Sequence, residues 1–346
     1  MKRNTSLDFI RAFATFLIVT FHFAYFGNQT DSILFGYANG GWGSVGTTLF
    51  FLLSGYVLYA KYPVVSDIKT FYKKRFLAIF PMFYISFIFA YFLHSLGGHG
   101  FTYGGSPFRL IFTFLGIDSY LGFYSINSYH LVAEWFTAII IILYLLYPLL
   151  CKLFAQKCTL TTFVILLLYL FNLQFDVFAV PDDANLITGL FCFWMGMLFR
   201  QAFSEKVSTN EEKVSCLIRF RRWIPAFSLP LVLLIIFVKL PWQSLLWKNL
   251  LGISLFLLLH ETAGFFLRIP GVSFCSNKLS KYSYAIYLIH HFIINDFYTI
   301  IKSYMPTRHT TLFLYFALIY LICICAYSIY QIHAALLKTL SHRNRI

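Results

Sequence analysis

The chain has 346 residues, of which 59% are hydrophobic and 21% aromatic, while only 12% carry a charged side chain. A soluble domain has about 25% charged residues, so this composition excludes an ordinary soluble protein and favours one with several membrane spans. The formal net charge of +14 suits either a nucleic-acid partner or the cytoplasmic loops of a membrane protein, and the positions of the charges decide between them.

The first apolar run, 7–26, is long enough to span a bilayer yet contains Asp8, Arg11 and His22. At about 1.5 Å per residue, Arg11 and His22 project from one helix face roughly 16 Å apart, and Asp8 joins that face. Ionisable groups at membrane depth usually face a bundle interior or a water-filled cavity, so we interpret this file of three ionisable residues along one helix face as a candidate site. Alternatively, Asp8 and Arg11 pair or snorkel, and His22 bonds a neighbouring helix. No cleavable signal peptide is evident, so this helix should stay in the mature chain.

Further apolar runs of spanning length follow along the chain. They predict an all-α polytopic membrane protein, one domain over 1–346, with ten spans near 7–26, 45–62, 76–96, 131–154, 159–180, 186–203, 223–240, 245–266, 282–303 and 311–335. With the N-terminus in the cytoplasm, 21 of the 27 lysines and arginines fall in inner segments and 5 in outer ones. This asymmetry follows the positive-inside rule, so we predict that both termini are cytoplasmic and that no nucleic acid binds.

The two longest outer connections, 27–44 and 97–130, are rich in glycine, amide, hydroxyl and aromatic side chains. Such residues suit sugar rings, although ordinary loops beside an interfacial aromatic belt have the same composition. The inner connection 204–222 is the most charged stretch, and we expect a cytoplasmic loop there. The seven cysteines have no metal-ligand spacing, so we predict no metal site.

Two clusters lie at the second and third spans. The second span contains Ser54 next to Gly55, a pair that also favours close helix packing. Lys73, Lys74 and Arg75 directly precede the third span, where an anionic cytosolic ligand would meet the protein. Positive-inside charge explains the same three residues nearly as well.

Two more clusters lie at the fourth and ninth spans. The fourth span begins with Glu134 and Trp135 near the predicted outer face. The ninth carries Tyr287, His290 and His291, and two adjacent histidines inside one span cannot both face lipid cheaply.

Taken in order, these clusters resemble the acyltransferase-3 family of integral membrane acyltransferases over essentially the whole chain. The resemblance rests on five motifs: R-x10-H (Arg11 to His22), FFxxSGY (Phe50 to Tyr56), KR with P-x-x-Y (Lys74, Arg75, Pro81, Tyr84), W with Y-x-x-x-P (Trp135, Tyr144, Pro148) and SYxIYLxH (Ser283 to His290).

The resemblance implies transfer of an acyl group, commonly acetyl, from cytosolic acyl-CoA to a hydroxyl of a surface glycan or its lipid-linked precursor. Acetyl-CoA would be a co-substrate, with no permanently bound cofactor. The partners would be the donor, the glycan acceptor and the lipids of a cell inner or plasma membrane, and the oligomeric state stays open. No fused esterase-like domain is expected.

By match to the motifs, His22 would be the essential histidine, Arg11 its partner along the helix, and Arg75 a contact for the CoA phosphates. Many members have a second arginine and a glutamate where this chain has Ala78 and Ile140. Other cations would then have to help with CoA, and the candidates are Lys73, Lys74, Arg11 and Arg219.

We hypothesise general-base catalysis by His22, with Ser54, Tyr287 and His290 as candidate proton-relay or oxyanion donors. Imidazole can also take the acyl group itself.

The acceptor would arrive from the outer side, where we expect contacts from Glu134, Trp135 and Trp42. The alternative function is a proton-coupled transporter or flippase, since intramembrane Arg, His and Asp also mark substrate paths. No inverted repeat is visible to favour it. A membrane scaffold would leave the file of ionisable residues unexplained.

Overall fold

The computed structural model describes residues 4–132, 134–175, 180–204, 211–242, 244–301 and 308–343, and this part of the chain is mostly helical. Its helices are α1 (Thr5–Phe26), α2 (Trp42–Lys61), α3 (Ile68–His94), α4 (Leu110–Phe114), α5 (Asp118–Leu121), α6 (Glu134–Gln174), α7 (Leu186–Ala202), α8 (Glu211–Phe237), α9 (Ser244–Phe266), α10 (Val272–Ile301) and α11 (Arg308–Arg343). Strands β1 (Gly36–Tyr37) and β2 (Gly40–Gly41) form a small antiparallel hairpin. The predicted all-α class is confirmed.

Within the described ranges, several helices are suited to a membrane. Six are long and apolar enough to cross one: Thr5–Phe26, Trp42–Lys61, Ile68–His99, Trp135–Gln174, Ser244–Phe266 and Thr311–Thr339. The second half of α6 exposes a run of large apolar side chains, Leu160, Phe163, Val164, Leu166, Leu167 and Leu168. A soluble monomer rarely exposes such a patch, whereas a lipid-facing surface requires one. Each predicted span overlaps a helix; their number and the side of the N-terminus stay predictions.

Helix boundaries differ from the apolar runs at several places. Helix α3 begins at Ile68, eight residues before the predicted start at 76, so Lys73, Lys74 and Arg75 lie within it. The predicted break between 154 and 159 lies inside α6, where Lys157 leaves helical geometry at φ −141° and ψ 39°. Helix α8 begins at Glu211, inside the segment expected to be a loop, and α10 begins at Val272, ahead of the predicted start at 282. Hydropathy marks the apolar part of a helix, and a helix can continue beyond it into polar sequence.

The chain divides into two compact units. The first consists of Met1–Phe21, Gln29–Ser66 and Leu146–Ser280. The second consists of His22–Asn28, Asp67–Leu145 and Lys281–Ile346, so α1, α6 and α10 contribute to both.

In the first unit, α2 and α7 cross at two glycines. A Cβ at Gly55 would collide with the backbone carbonyl of Phe193, and a Cβ at Gly196 would collide with that of Leu52. The helix backbones are therefore in direct contact, a geometry that small residues permit in membranes. The close-packing interpretation of Gly55 is confirmed.

In the second unit, aromatic contacts hold the last turns of α1 against α10 and α11. The ring of Phe23 lies 5.4 Å from that of Tyr298 and 4.8 Å from that of Tyr315, between centroids. Tyr284 of α10 donates a hydrogen bond to the carbonyl of Ile79 on α3, at 3.3 Å. These contacts fix the helices that carry the histidines described next.

Candidate active site

A pair of histidines from α1 and α10 forms the polar centre of the second unit. Nδ1 of His22 lies 3.0 Å from Nε2 of His290. Nδ1 of His290 lies 2.7 Å from the backbone carbonyl oxygen of Tyr287. His290 is fully buried, whereas His22 is only half-buried. The sequence identified both residues but not the bond between them.

The hydrogen bonds determine where the protons lie in the neutral pair. A carbonyl oxygen only accepts, so Nδ1 of His290 must carry a proton. A neutral His290 then presents an unprotonated Nε2, and His22 must donate to it from Nδ1. In this state Nε2 of His22 carries a lone pair, which is what a general base or a nucleophile needs.

Other rings of the second unit surround the histidine pair. The ring of His291 stands edge-on to that of His22 at 5.2 Å, and also contacts Phe26. The ring of Tyr287 lies 5.8 Å from that of His290 and 5.3 Å from that of Phe136. His291 therefore belongs to the same cluster, although the motif match singled out only His290.

In the first unit, Arg11 is held by a triangle of polar groups. Nη1 of Arg11 lies 3.2 Å from Oδ1 of Asp8 and donates to the hydroxyl of Ser280 at 3.1 Å. That hydroxyl donates in turn to Asp8 at 2.6 Å. The pairing of Asp8 with Arg11, weighed from the sequence, is therefore present, and Ser280 is a third member that the sequence did not reveal.

Ser54, a candidate proton-relay residue, lies in the first unit. Its hydroxyl donates to the carbonyl of Phe50 one turn earlier in α2, at 2.7 Å. This is a common local bond for serine inside a helix.

The basic residues before the third span differ in burial. Lys73 and Lys74 are exposed, whereas Arg75 is half-buried. The guanidinium of Arg75 lies over the rings of Phe71 and Tyr144, at 5.9 and 5.7 Å from the ring centroids. The guanidinium of Arg75 thus lies against two aromatic faces, which is favourable for a cation.

The three residues assigned to the acceptor are placed differently. Trp42 belongs to the first unit, where its Nε1 donates to the carbonyl of Ile33 at 2.7 Å. Trp42 also lines a cavity of about 660 Å³ between the 30–42 connection and residues at the end of α8 and the start of α9. Trp135 belongs to the second unit and is half-buried beside Phe136. Glu134 begins α6, but its side chain lies outside the described residues, as does that of Arg219.

The connection 97–130 of the second unit satisfies its own polar groups. Tyr103 donates to the carbonyl of Tyr129, and Tyr129 donates to that of Gly105, at 2.7 and 2.6 Å. Asp118 is buried and accepts from the hydroxyl of Thr113 at 2.8 Å. Burial raises the pKa of Asp118 above its ordinary value. These interactions are typical of a structured loop.

A polar network that the sequence did not predict ties α2, α8 and α9 together. Arg221 binds both carboxylate oxygens of Glu261, at 3.0 and 3.2 Å. Glu261 also lies 2.8 Å from Nδ1 of His260, whose Nε2 is 3.3 Å from the hydroxyl of Tyr56. The guanidinium of Arg200 lies 5.8 Å from the centroid of the Tyr56 ring. The adjacent His260 and Glu261 inside a predicted span were the available signal.

Within the described part of the chain, no three His, Cys, Asp or Glu side chains converge in a way that could hold a metal ion.

Apolar helices with a hydrogen-bonded histidine pair define a multi-pass membrane protein that has a polar site among its helices. A family model described as an acyltransferase domain matches residues 4–330. The match covers nearly the whole chain, so the chain belongs to the acyltransferase-3 family and is a membrane acyltransferase. No curated protein and no solved structure matches it.

Proposed function

We propose that the protein is an O-acyltransferase that moves an acyl group, most simply acetyl, from acyl-CoA to a hydroxyl of a glycan or its lipid-linked precursor. The observation that carries this proposal is the hydrogen-bond chain from His22 through His290 to the Tyr287 carbonyl. These hydrogen bonds support His22 as the base, because they orient its ring and fix its neutral tautomer through Nδ1.

In the proposed reaction, Nε2 of His22 takes the proton of the acceptor hydroxyl as its oxygen attacks the thioester carbon. The new C–O bond forms, the C–S bond breaks, and the proton on His22 passes to the departing thiolate to give CoA. While His22 carries that proton, its imidazolium donates from Nδ1 to His290. This charge-assisted hydrogen bond is stronger than the bond in the neutral pair. His290 acts as a positioning residue, since both of its ring nitrogens are already engaged.

We place the phosphates of the donor at Arg75, with help from Lys73 and Lys74. Arginine binds phosphate oxygens in a bidentate manner, and the aromatic packing of Arg75 limits the freedom it loses on binding. Exposed Lys73 and Lys74 contribute longer-range attraction. This basic group would compensate for the alanine at position 78, where many family members have a second arginine.

We assign Arg11 a role in binding the acyl donor. Its hydrogen bonds to Asp8 and Ser280 orient the guanidinium. Tyr287 is a candidate donor to the developing oxyanion, and Ser54 would act as one by turning its hydroxyl away from the Phe50 carbonyl. On the acceptor side we retain Glu134, Trp135 and Trp42. The enzyme would work in the cell inner or plasma membrane, with its donor on the cytosolic side.

The test uses purified protein in lipid nanodiscs, acetyl-CoA, a cell-envelope glycan extract as acceptor source, and a thiol-reactive dye that reports released CoA. Wild type should release CoA only when the extract is present, and His22→Gln should lower the rate by about 10²- to 10⁴-fold, the range for loss of a general base. The matched control is His99→Gln, at an exposed histidine of the 97–130 connection, and it should keep the wild-type rate.

Full activity in His22→Gln would reject the assignment of the base. Intact acetyl-CoA in every wild-type reaction would reject the acyl-transfer proposal and favour the transporter alternative.

A further inference from the structure

The first unit contains a cavity of about 660 Å³ that opens to the surface. Small-molecule sites in proteins usually measure about 300 to 1,000 Å³. Its walls are the connection 30–42, which includes both strands, and five residues near the end of α8 and the start of α9, namely Ile236, Phe237, Lys239, Ser244 and Lys248. The volume of this cavity therefore falls within the range of small-molecule sites.

The walls of the cavity are fixed by specific hydrogen bonds. The buried side chain of Asn39 donates to the carbonyls of Ile235 and Val238, at 2.6 and 2.7 Å, and accepts from the amide of Leu240 at 2.8 Å. Asn39 thereby ties the hairpin loop to the last turn of α8, whose carbonyls need partners. Trp42 is fixed separately through its bond to the Ile33 carbonyl. A site held in this way is preformed.

Two hydroxyl groups in the cavity wall lack a hydrogen-bond partner within the described part of the chain. They belong to Ser32 and Tyr37, and both oxygen atoms are buried. Burial raises the pKa of Tyr37, so its phenol stays protonated and can donate. Buried polar groups normally have partners, and an unpaired one costs about 1–3 kcal/mol. A ligand with hydroxyl groups would supply the missing bonds.

The same wall presents aromatic surface beside these hydroxyls. The rings of Tyr37 and Trp42 lie 4.8 Å apart between centroids, with an angle of 45° between their planes. Aromatic faces next to hydrogen-bonding groups suit a ligand that has both C–H faces and hydroxyls. By contrast, the hydroxyls of Tyr103 and Tyr129 in the 97–130 connection are bonded to backbone carbonyls.

The charges around the cavity are close to balanced. The ammonium of Lys248 is 3.6 Å from a carboxylate oxygen of Asp183, which also accepts from Ser44. The remaining charged groups of the lining are Asp31 and Lys239, which have opposite signs. Such a lining gives no excess of positive charge that would select a polyanion.

We propose that this cavity binds a neutral sugar unit of the acceptor, with Ser32 and Tyr37 bonded to its hydroxyls and Trp42 against its C–H face. The inference rests on the proposed function for the identity of the ligand as an acceptor. It makes the 30–42 connection a determinant of acceptor choice, separate from the histidines that carry the reaction.

The experiment measures saturation-transfer NMR of wild type in nanodiscs with methyl glycosides of glucose, galactose, mannose, rhamnose and N-acetylglucosamine, and with methyl glucuronide as the acidic probe. At least one neutral glycoside should bind and the acidic one should not. Tyr37→Phe and Ser32→Ala should each weaken that binding about 2- to 10-fold, as expected for the loss of one hydrogen bond. Tyr124→Phe, an exposed tyrosine outside the cavity, should bind as wild type does.

Three results would overturn the inference: no neutral glycoside binds, only the acidic glycoside binds, or Tyr37→Phe and Ser32→Ala bind as tightly as wild type. The proposed function is tested separately, because CoA release does not enter this measurement. Sugar binding without CoA release would leave the cavity as a sugar site and reject acyl transfer. CoA release by wild type, together with equal sugar affinities in wild type and all variants, would support acyl transfer and reject the sugar site.

Discussion

Replacing His290 by leucine tests the hydrogen-bond chain behind His22. Leucine keeps much of the buried volume but removes both the acceptor 3.0 Å from His22 and the donor 2.7 Å from the Tyr287 carbonyl. His22 would then lose the group that orients its ring and selects its tautomer. The acyl donor would bind as before, because in our proposal His290 does not touch it.

The expected loss follows from the strength of the bond to His22. A hydrogen bond that involves a charged group contributes about 1.5–3 kcal/mol, and His22 is charged after it takes the proton. At about 1.36 kcal/mol per factor of ten, losing this bond lowers kcat about 10- to 150-fold. Because donor binding is unaffected, KM for acetyl-CoA should stay at the wild-type value.

The assay is CoA release by the purified variants, with the melting temperature of each as a check on folding. His290→Gln is the conservative partner, since its amide oxygen can still accept from Nδ1 of His22, and it should recover part of kcat. Wild-type kcat in His290→Leu would refute the positioning role. So would equal losses in the glutamine and leucine variants, or a loss that appears only in KM.

Three further predictions concern stability and donor binding. Gly55→Ala should lower the melting temperature through overpacking of about 1–3 kcal/mol against Phe193, whereas Gly264→Ala, where an added Cβ meets nothing within 4 Å, should leave it unchanged or raise it; equal effects would contradict the described crossing. Because burial raises the pKa of Asp118, the stability linked to its neutral form is lost as pH rises through that raised value. Asp118→Asn should therefore melt above wild type at neutral pH, and the difference in melting temperature should close at about pH 4; a difference that widens on acidification would contradict this prediction. Arg75→Gln should raise KM for acetyl-CoA about tenfold through loss of a charge-assisted bond, and an unchanged KM in titrations of the donor would remove Arg75 from its site.

The helices of this protein follow from its sequence because bilayer thickness sets the length of an apolar run. Even the break in α6 is visible, since Lys157 interrupts the apolar pattern where the backbone turns out of helical geometry. The starts of α8 and α10 are not visible, because the helices extend into polar sequence that hydropathy does not score. The hairpin of β1 and β2 is also hidden, as its residues are mostly glycine.

The candidate site follows from the sequence only in part. An intramembrane His22 is conspicuous because its burial is costly, and a family motif points to His290. The bond between them depends on how α1 and α10 pack, which neither run reveals alone. The same holds for Ser280 beside Arg11 and for Arg221 with Glu261, since hydrogen bonds between residues far apart in the chain leave no local pattern.

The most direct test of acyl transfer through His22 is made on cells. Surface glycans from cells that express wild type or His22→Ala at equal levels are compared by mass spectrometry before and after mild base, which removes ester-linked acyl groups. We predict a base-labile mass increment of acetyl size that is present with wild type and absent with His22→Ala. An identical increment in both samples would contradict a catalytic role of His22, and no increment in either would contradict the transfer of acetyl groups to the surface glycan.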